Sequence, residues 1–222
     1  MHIPAHLVAG WANAACWLAV LGAALAAVYF AQWRLLLTEP RRMHLVAGGT
    51  VFCLLLWLLN VNVAETLVIH FLGLTTLTLL IGWSFTVIGA SLAVLAFYGV
   101  TGMPWAEIAV SLCLTVLVPA TISRLFSWWL YRPSLRHPFV YILGAGFGGG
   151  ALVTLVLGVL AFLIFWSRGL DAAAGSLFEW WPLLFLLMFS EGFINGMCVS
   201  ALAVFYPDWL KTFDDRFYLD DD

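Results

Sequence analysis

Residues 139–166 read FVYILGAGFGGGALVTLVLGVLAFLIFW, without one charged side chain. A helix needs about 20 apolar residues to cross the hydrocarbon layer of a membrane, so this stretch predicts a membrane-spanning helix. The rest of the chain has the same character, because 64% of its 222 residues are hydrophobic and 9% are charged. Soluble domains contain about 25% charged residues. The sequence therefore predicts an all-α polytopic membrane protein.

The chain divides into about seven such segments, separated by polar or glycine-containing breaks. The predicted spans are residues 11–35, 43–60, 67–81, 85–100, 104–129, 139–166 and 182–206. Residues 60–65 form a polar turn before the third span, and Gly82-Trp83-Ser84 separates it from the fourth. Pro119 predicts a kink in the fifth span, because a proline inside a helix removes a backbone hydrogen bond. We expect residues 1–206 to form one transmembrane helical domain and residues 207–222 an acidic cytoplasmic tail.

Positively charged residues orient the predicted spans. If the amino terminus is outside and about seven spans follow, all but one of the 9 Lys and Arg side chains fall on the inner side. The inner residues are Arg34, Arg41, Arg42, Arg124, Arg132, Arg136, Lys211 and Arg216, and the outer one is Arg168. The third and fourth spans must be separate, since one helix over residues 67–100 would put Arg42 and Arg124 on opposite sides. We therefore predict a multi-pass membrane protein with its amino terminus outside.

The chain begins with Met1-His2-Ile3-Pro4, which can chelate a metal ion. The terminal amine of Met1, the amide nitrogen of His2 and its imidazole Nδ1 can bind one ion together, closing two small rings. Three nitrogens in one plane suit Ni²⁺ and Cu²⁺, and Co²⁺ less strongly. Residues 1–10 contain no basic segment and no A-x-A site of a cleavable signal peptide, so we expect the terminus to be kept. The alternative is that His2 is an ordinary residue at the start of the chain.

The best candidate for a fourth nitrogen ligand is His70, which lies inside the predicted third span near its outer end. Histidines within membrane segments are costly to bury and mark functional sites. The predicted topology puts His70 and the amino terminus on the same outer face. The hydroxyls of Thr75, Thr76 and Thr78 could supply hydrogen bonds around a metal-bound imidazole. The alternative is a histidine that is only hydrogen-bonded to a helix carbonyl.

Two further polar residues have roles that the sequence leaves open. His6 is either a ligand, or a neighbour of one, or a solvated residue at the entrance to the first span. Glu191 lies in the middle of the last span, where an unpaired carboxylate is expensive. It could pair with an arginine, accept hydrogen bonds from Asn195, or help to neutralise a cation.

The sequence lacks the motifs of enzymes that hydrolyse nucleotides or peptides. It contains no G-x-x-x-x-G-K-[ST] and no H-E-x-x-H. Gly144-x-Gly146-x-x-Gly149 fits a dinucleotide-binding pattern, but it lies in an apolar span without the β-α-β context that the pattern requires. We interpret these glycines as sites of close helix packing. We therefore predict that the chain is not an enzyme and has no catalytic residues.

The 4 cysteines are isolated in apolar runs, with no C-x-x-C spacing. They are Cys16, Cys53, Cys113 and Cys198. This arrangement does not match the spacing typical of thiolate metal sites or of disulfide-rich proteins. We interpret all of them as small buried apolar residues.

Several stretches of the chain resemble one family of transporters. The stretches are Met1-His2-Ile3-Pro4, His70-Phe71-Leu72-Gly73-Leu74-Thr75, Ser190-Glu191-Gly192 and Tyr206-Pro207-Asp208-Trp209-Leu210. With them the chain resembles, over essentially its whole length, the CbiM/NikM-type substrate-binding components of energy-coupling factor cobalt/nickel transporters. The resemblance implies that a Ni or Co ion, the transported substrate, is held by the amine of Met1, the amide and imidazole of His2, and the imidazole of His70. It also implies partners, namely an energy-coupling transmembrane subunit, ATPase subunits and, in many members, a small accessory membrane protein.

On this interpretation the chain is a carrier, and a separate ATPase supplies the energy. Three other functions stay open from the residues: a solitary metal-binding or sensory membrane protein, an assembly protein of a membrane complex without transport, and a substrate-binding component for an organic vitamin. Co-purification of ATPase subunits would count against the first. Absence of any bound metal would favour the second, and a bound organic ligand the third.

Overall fold

The computed structural model describes residues 10–64, 67–132, 135, 137–167 and 181–218. Within these residues the chain is a helical bundle with one short β-hairpin. The principal elements are α1 (Gly10–Phe30), α2 (Trp33–Thr38), α3 (Pro40–Leu58), β1 (Asn60–Ala64), β2 (Leu67–His70), α4 (Leu74–Ile81), α5 (Trp83–Thr101), α6 (Ile108–Leu112), α7 (Val118–Leu130), α8 (Gly149–Ser167) and α9 (Trp181–Phe205). Shorter helical segments are Trp105–Glu107 (3-10), Cys113–Leu117 (π), Val140–Gly148 (π), Pro207–Trp209 (3-10) and Asp215–Tyr218.

Among the described residues, 6 helical segments are long and apolar enough to cross a membrane. They are Gly10–Phe30, Pro40–Leu58, Trp83–Thr101, Trp105–Leu130, Val140–Ser167 and Trp181–Phe205. These segments correspond to all the predicted spans except the third. The prediction of an all-α polytopic membrane protein is confirmed.

The predicted third span, residues 67–81, is not one helix. It consists of strand β2, an irregular stretch at residues 71–73, and helix α4 of 8 residues. Gly73 at the start of α4 has φ +66°, a left-handed conformation that a right-handed helix excludes. Strand β2 pairs with β1 in an antiparallel hairpin, in which Asn60 lies opposite His70. The segment that the sequence suggested as a polar turn is therefore largely the first strand of a hairpin.

Helix α4 nevertheless brings the chain back to the end of the bundle at which α3 begins. The chain after α9 contacts the end of α4, where the backbone N–H of Lys211 donates to the Leu80 carbonyl at 3.1 Å. Burial, and then the charges of Arg42 and Arg124, lower the pKa of Lys211. Basic residues from α3, α7 and the tail thus meet at one end, as the predicted separation of the third and fourth segments requires. The assignment of this end to the cytoplasm stays a prediction.

The predicted break at Gly82 is observed, and the hydrogen-bonding pattern changes before Pro119, where the kink itself stays a prediction. Gly82, with φ +82°, separates α4 from α5. Pro119 has no N–H to donate to the carbonyl of Thr115, and the π-helical segment Cys113–Leu117 ends just before α7. The fifth predicted span is therefore one helical segment, Trp105–Leu130, whose hydrogen-bonding pattern changes before the proline.

Glycines let α9 lie directly against α8 and the π-helical segment that precedes it. A Cβ atom at Gly150 would lie 3.0 Å from the carbonyl oxygen of Glu191. One at Gly192 would lie 2.8 Å from the carbonyl oxygen of Phe147. The glycine run of the sixth predicted span is thus a helix-packing surface, as the sequence suggested. Its main consequence is that the middle of α9, with Glu191, lies inside the bundle.

We expect Gly73→Ala to lower the thermal stability of the purified protein. The left-handed conformation costs a residue with a Cβ atom about 1–2 kcal/mol, and the new atom would lie 3.0 Å from Leu56 Cδ2. Gly48→Ala in α3 is the matched control, because nothing lies within 4 Å of its Cβ position, and alanine favours a helix. Melting temperatures in detergent measure both variants. A melting temperature of Gly73→Ala equal to that of Gly48→Ala would contradict the left-handed turn.

Candidate metal site

His70 is the last residue of β2 and is buried, with 8% of its surface exposed. Its Nδ1 atom lies 3.1 Å from the carbonyl oxygen of Phe71, and its ring lies 5.8 Å from the ring of Trp57. Because a carbonyl oxygen only accepts, this hydrogen bond requires the proton on Nδ1 and leaves the lone pair on Nε2. Metal-binding histidines commonly bond a carbonyl with one nitrogen and the ion with the other. A carbonyl-bonded imidazole, which the sequence left as an alternative, is thus compatible with a ligand role.

The other predicted ligands, Met1 and His2, lie outside the described residues, as does His6. Within the part of the chain that the structure describes, no group of three or more His, Cys, Asp or Glu side chains is arranged to hold a metal ion. A complete site around His70 therefore needs donors from outside these residues.

The irregular stretch after His70 is held from two sides. From α9, Glu191 accepts hydrogen bonds from the N–H of Leu72 at 2.9 Å and the N–H of Gly73 at 2.8 Å. From α3, the indole Nε1–H of Trp57 donates to the Leu72 carbonyl at 3.1 Å. Both backbone groups of Leu72 are therefore paired with side chains from helices distant in sequence.

Asn195, one turn after Glu191 on α9, completes this network. Its Nδ2 donates to Glu191 Oε1 at 2.9 Å and to the Glu191 carbonyl at 2.7 Å. Its Oδ1 accepts from the backbone N–H of Thr76 at 2.9 Å and from the Thr76 hydroxyl at 2.7 Å. Gly73 precedes α4 without a side chain that could cap the helix. Asn195 therefore supplies the capping acceptor from another helix.

These contacts bear on two of the three roles that the sequence left open for Glu191, and its help in neutralising a cation stays a prediction. The residue is buried, with 4% of its surface exposed. The one ion pair of the described residues joins Arg42 and Glu39, so pairing of Glu191 with a described arginine is excluded. Hydrogen bonding from Asn195 is confirmed. The carboxylate also serves backbone N–H donors, and leaving one such buried donor unpaired costs about 1–3 kcal/mol.

The threonine hydroxyls suggested for the surroundings of the imidazole have other partners. Thr75 lies 3.0 Å from the hydroxyl of Ser123 on α7. Thr78 donates to the Leu74 carbonyl within α4 at 2.7 Å, and Thr76 bonds α9 as described above. The hydroxyls of Thr75 and Thr76 therefore connect α4 to α7 and α9, while that of Thr78 bonds within α4.

Trp57 is a residue of this region that sequence analysis did not single out. Tryptophans near the ends of spans usually anchor a protein at the membrane interface, yet Trp57 is 1% exposed. The sequence does place Trp57 at the end of α3, three residues before the polar segment that starts at Asn60. Its indole donates a hydrogen bond to the Leu72 carbonyl in the irregular stretch after His70, and it lies beside the imidazole.

A buried histidine followed by irregular backbone, which side chains of two helices hydrogen-bond, is the central feature of this region. Residues 2–209 match the model of the CbiM family, the cobalt uptake substrate-specific transmembrane region. The chain belongs to the CbiM family. The resemblance inferred from the quoted stretches is thereby confirmed, and the matched range contains His2, His70 and Glu191. Neither a search of curated proteins nor a search of solved structures gave a match.

Membership of the CbiM family makes the chain a transmembrane component of cobalt uptake. The family consists of transporter components, not enzymes, and the apolar helices agree with a multi-pass membrane protein.

We expect Trp57→Phe to destabilise the protein by about 1–3 kcal/mol, because the buried carbonyl of Leu72 would lose its donor. Trp128→Phe is the matched control, since Trp128 is 70% exposed and surface changes usually stay within about 0.5 kcal/mol. Denaturation in detergent, followed by an optical probe, measures both. Equal stability of the two variants would contradict a structural role of the indole N–H.

Proposed function

We propose that the chain is the substrate-binding membrane component of an energy-coupling factor transporter that takes up Ni or Co. In this proposal the ion is bound by the terminal amine of Met1, the amide nitrogen and imidazole of His2, and the imidazole of His70. The observation that carries the proposal is His70, which is buried at the end of a strand and followed by a backbone break that two helices hold. The CbiM family match, which names cobalt uptake, supports the same function.

The donor set has a definite chemistry. The amine, the amide nitrogen and the imidazole of His2 lie in one plane around the ion, and the imidazole of His70 fills the fourth corner. Four nitrogen donors in a plane suit Ni²⁺, and Co²⁺ is the other ion of the proposal. The amide must lose its N–H proton, and each imidazole must be unprotonated at the nitrogen that binds the ion. Metal affinity therefore falls as the pH is lowered.

The position of α1 supports the reach of the amino terminus to His70. Cys16, in the second turn of α1, packs against the apolar cluster that contains Leu72, two residues beyond His70. Residues 1–9 precede α1, and nine residues extend over at most about 30 Å. This contact and the length of the preceding segment support the proposal that Met1 and His2 reach the imidazole.

The proposed partners follow from the resemblance and from what the sequence lacks. The sequence contains no phosphate-binding loop of the G-x-x-x-x-G-K-[ST] type, which supports a separate subunit as the source of energy. We propose that it works with a transmembrane coupling subunit, ATPase subunits and a small accessory membrane protein. The complex lies in the bacterial inner membrane, with the basic end of the bundle in the cytoplasm and the amino terminus outside.

The experiment is Ni²⁺ and Co²⁺ binding by purified protein with an authentic amino terminus. We expect His70→Ala, and insertion of one alanine between Met1 and His2, each to weaken binding by more than about 100-fold, because loss of a ligand exceeds the cost of losing a group that supports one. His44→Ala is the control, since His44 is exposed on α3, and it should bind as wild type does.

The outcomes separate the proposed site from its rivals. Wild-type affinity in both changed proteins would contradict the ligand set. Loss on insertion with no loss in His70→Ala would leave the amino-terminal chelate and remove the fourth nitrogen. Absence of binding by the wild-type protein would contradict the proposed substrate.

A further inference from the structure

We propose that Glu191 is a positioning residue of the metal site, which orients His70 through the peptide bond between Phe71 and Leu72. This inference rests on the proposed function, in which His70 supplies the fourth nitrogen. Glu191 acts through the backbone in this arrangement. Its carboxylate holds one end of a peptide group, and the imidazole is bonded to the other end.

The peptide group is the link between the two side chains. The carbonyl oxygen of Phe71 lies 3.1 Å from His70 Nδ1, and the N–H of Leu72 donates to Glu191 Oε2 at 2.9 Å. These two atoms belong to one peptide unit, which is planar and rigid. Turning this unit therefore turns the carbonyl that holds Nδ1, and with it the nitrogen on the opposite side of the ring.

The carboxylate fixes this unit in two places. Oε1 of Glu191 accepts from the N–H of Gly73 while Oε2 accepts from the N–H of Leu72. Two hydrogen bonds to the two oxygens of one carboxylate define direction as well as distance. A second effect acts through charge, since a carboxylate at the N–H end of a peptide makes its carbonyl a stronger acceptor. Both effects favour one tautomer and one orientation of the imidazole.

The carboxylate is itself held against rotation. Asn195 Nδ2 donates to Oε1, and the Asn195 Oδ1 is fixed by two bonds to Thr76. A Cβ atom on Gly150 of α8 would lie 3.1 Å from this Nδ2, which shows how closely α8 covers the amide. Carboxylate, amide, peptide and imidazole therefore form a connected chain that runs from α9 to the metal site.

The test compares Glu191→Gln with His70→Ala, using Ni²⁺ for affinity and Cu²⁺ as a spectroscopic probe in the full chain with an authentic amino terminus. The glutamine keeps the size of the side chain, but its amide nitrogen cannot accept a backbone N–H. We expect Ni²⁺ affinity to fall about 10- to 100-fold, as for other groups that orient a ligand. The Cu²⁺ electron paramagnetic resonance spectrum should change from four nitrogen donors toward the spectrum of His70→Ala.

A second pair of variants decides the question if Glu191→Gln does not fold. Thr76→Val removes one bond that holds Asn195, and we expect it to weaken Ni²⁺ binding about 2- to 10-fold, the effect of one hydrogen bond. Thr78→Val is the matched control in the same helix, because the Thr78 hydroxyl donates to the Leu74 carbonyl within α4 and bonds no other element among the described residues. It should bind as wild type does.

The outcomes distinguish the inference from the proposed function. If His70→Ala loses the fourth nitrogen while Glu191→Gln keeps wild-type affinity and spectrum, the positioning role is overturned and the proposed ligand set stands. If His70→Ala itself keeps four nitrogens, both are overturned. If Glu191→Gln is unfolded and Thr76→Val binds no more weakly than Thr78→Val, the positioning role is again overturned.

Discussion

The carboxylate of Glu191, bonded to the backbone N–H groups of Leu72 and Gly73, is the constraint on which the candidate site depends. Inside a membrane protein every backbone polar group needs a partner, and irregular backbone survives only where protein supplies one. Residues 71–73 belong to neither the hairpin nor α4. The Gly73 carbonyl accepts from the backbone N–H of Leu77, while side chains pair other backbone groups of this stretch. Glu191 pairs two of the N–H groups and Trp57 pairs a carbonyl. A histidine at a fixed place beside this break is the result.

Features that look like ordinary packing serve the same constraint. The glycines of α8 and α9 remove the side chains that would keep the two helices apart, and this close approach puts Glu191 and Asn195 inside the bundle. The left-handed Gly73 turns the chain from the hairpin into α4, and Asn195 caps the helix that follows. The proposed function adds one element to this scaffold, the amino-terminal chelate. The scaffold would then supply one oriented nitrogen, that of His70, while Met1 and His2 supply the other three.

Sequence predicted the parts of this protein that hydropathy and helix chemistry determine. Membrane character and the long spans follow from the length of the apolar runs, and the break at Gly82 follows from its glycine. The hairpin does not follow, because short apolar runs such as Leu67–His70 have no periodicity that separates a strand from a helix. The signal that was present is valine in both strands and isoleucine in β2, since both residue types favour strands. Asn195, one turn after Glu191 on the same helix, could be predicted as its partner. The backbone N–H groups that also bond Glu191 could not, because they lie more than a hundred residues earlier and backbone groups leave no mark on the sequence.

X-ray absorption at the nickel edge of the Ni²⁺-loaded wild-type protein is the direct test of the proposed ligand set. The ligand set predicts a square-planar ion with four nitrogen donors, and outer-shell scattering from two imidazoles, those of His2 and His70. Scattering from one imidazole would remove His70 from the site. Sulfur donors, or an octahedral shell dominated by oxygen, would contradict the amino-terminal chelate and with it the proposed mode of substrate binding.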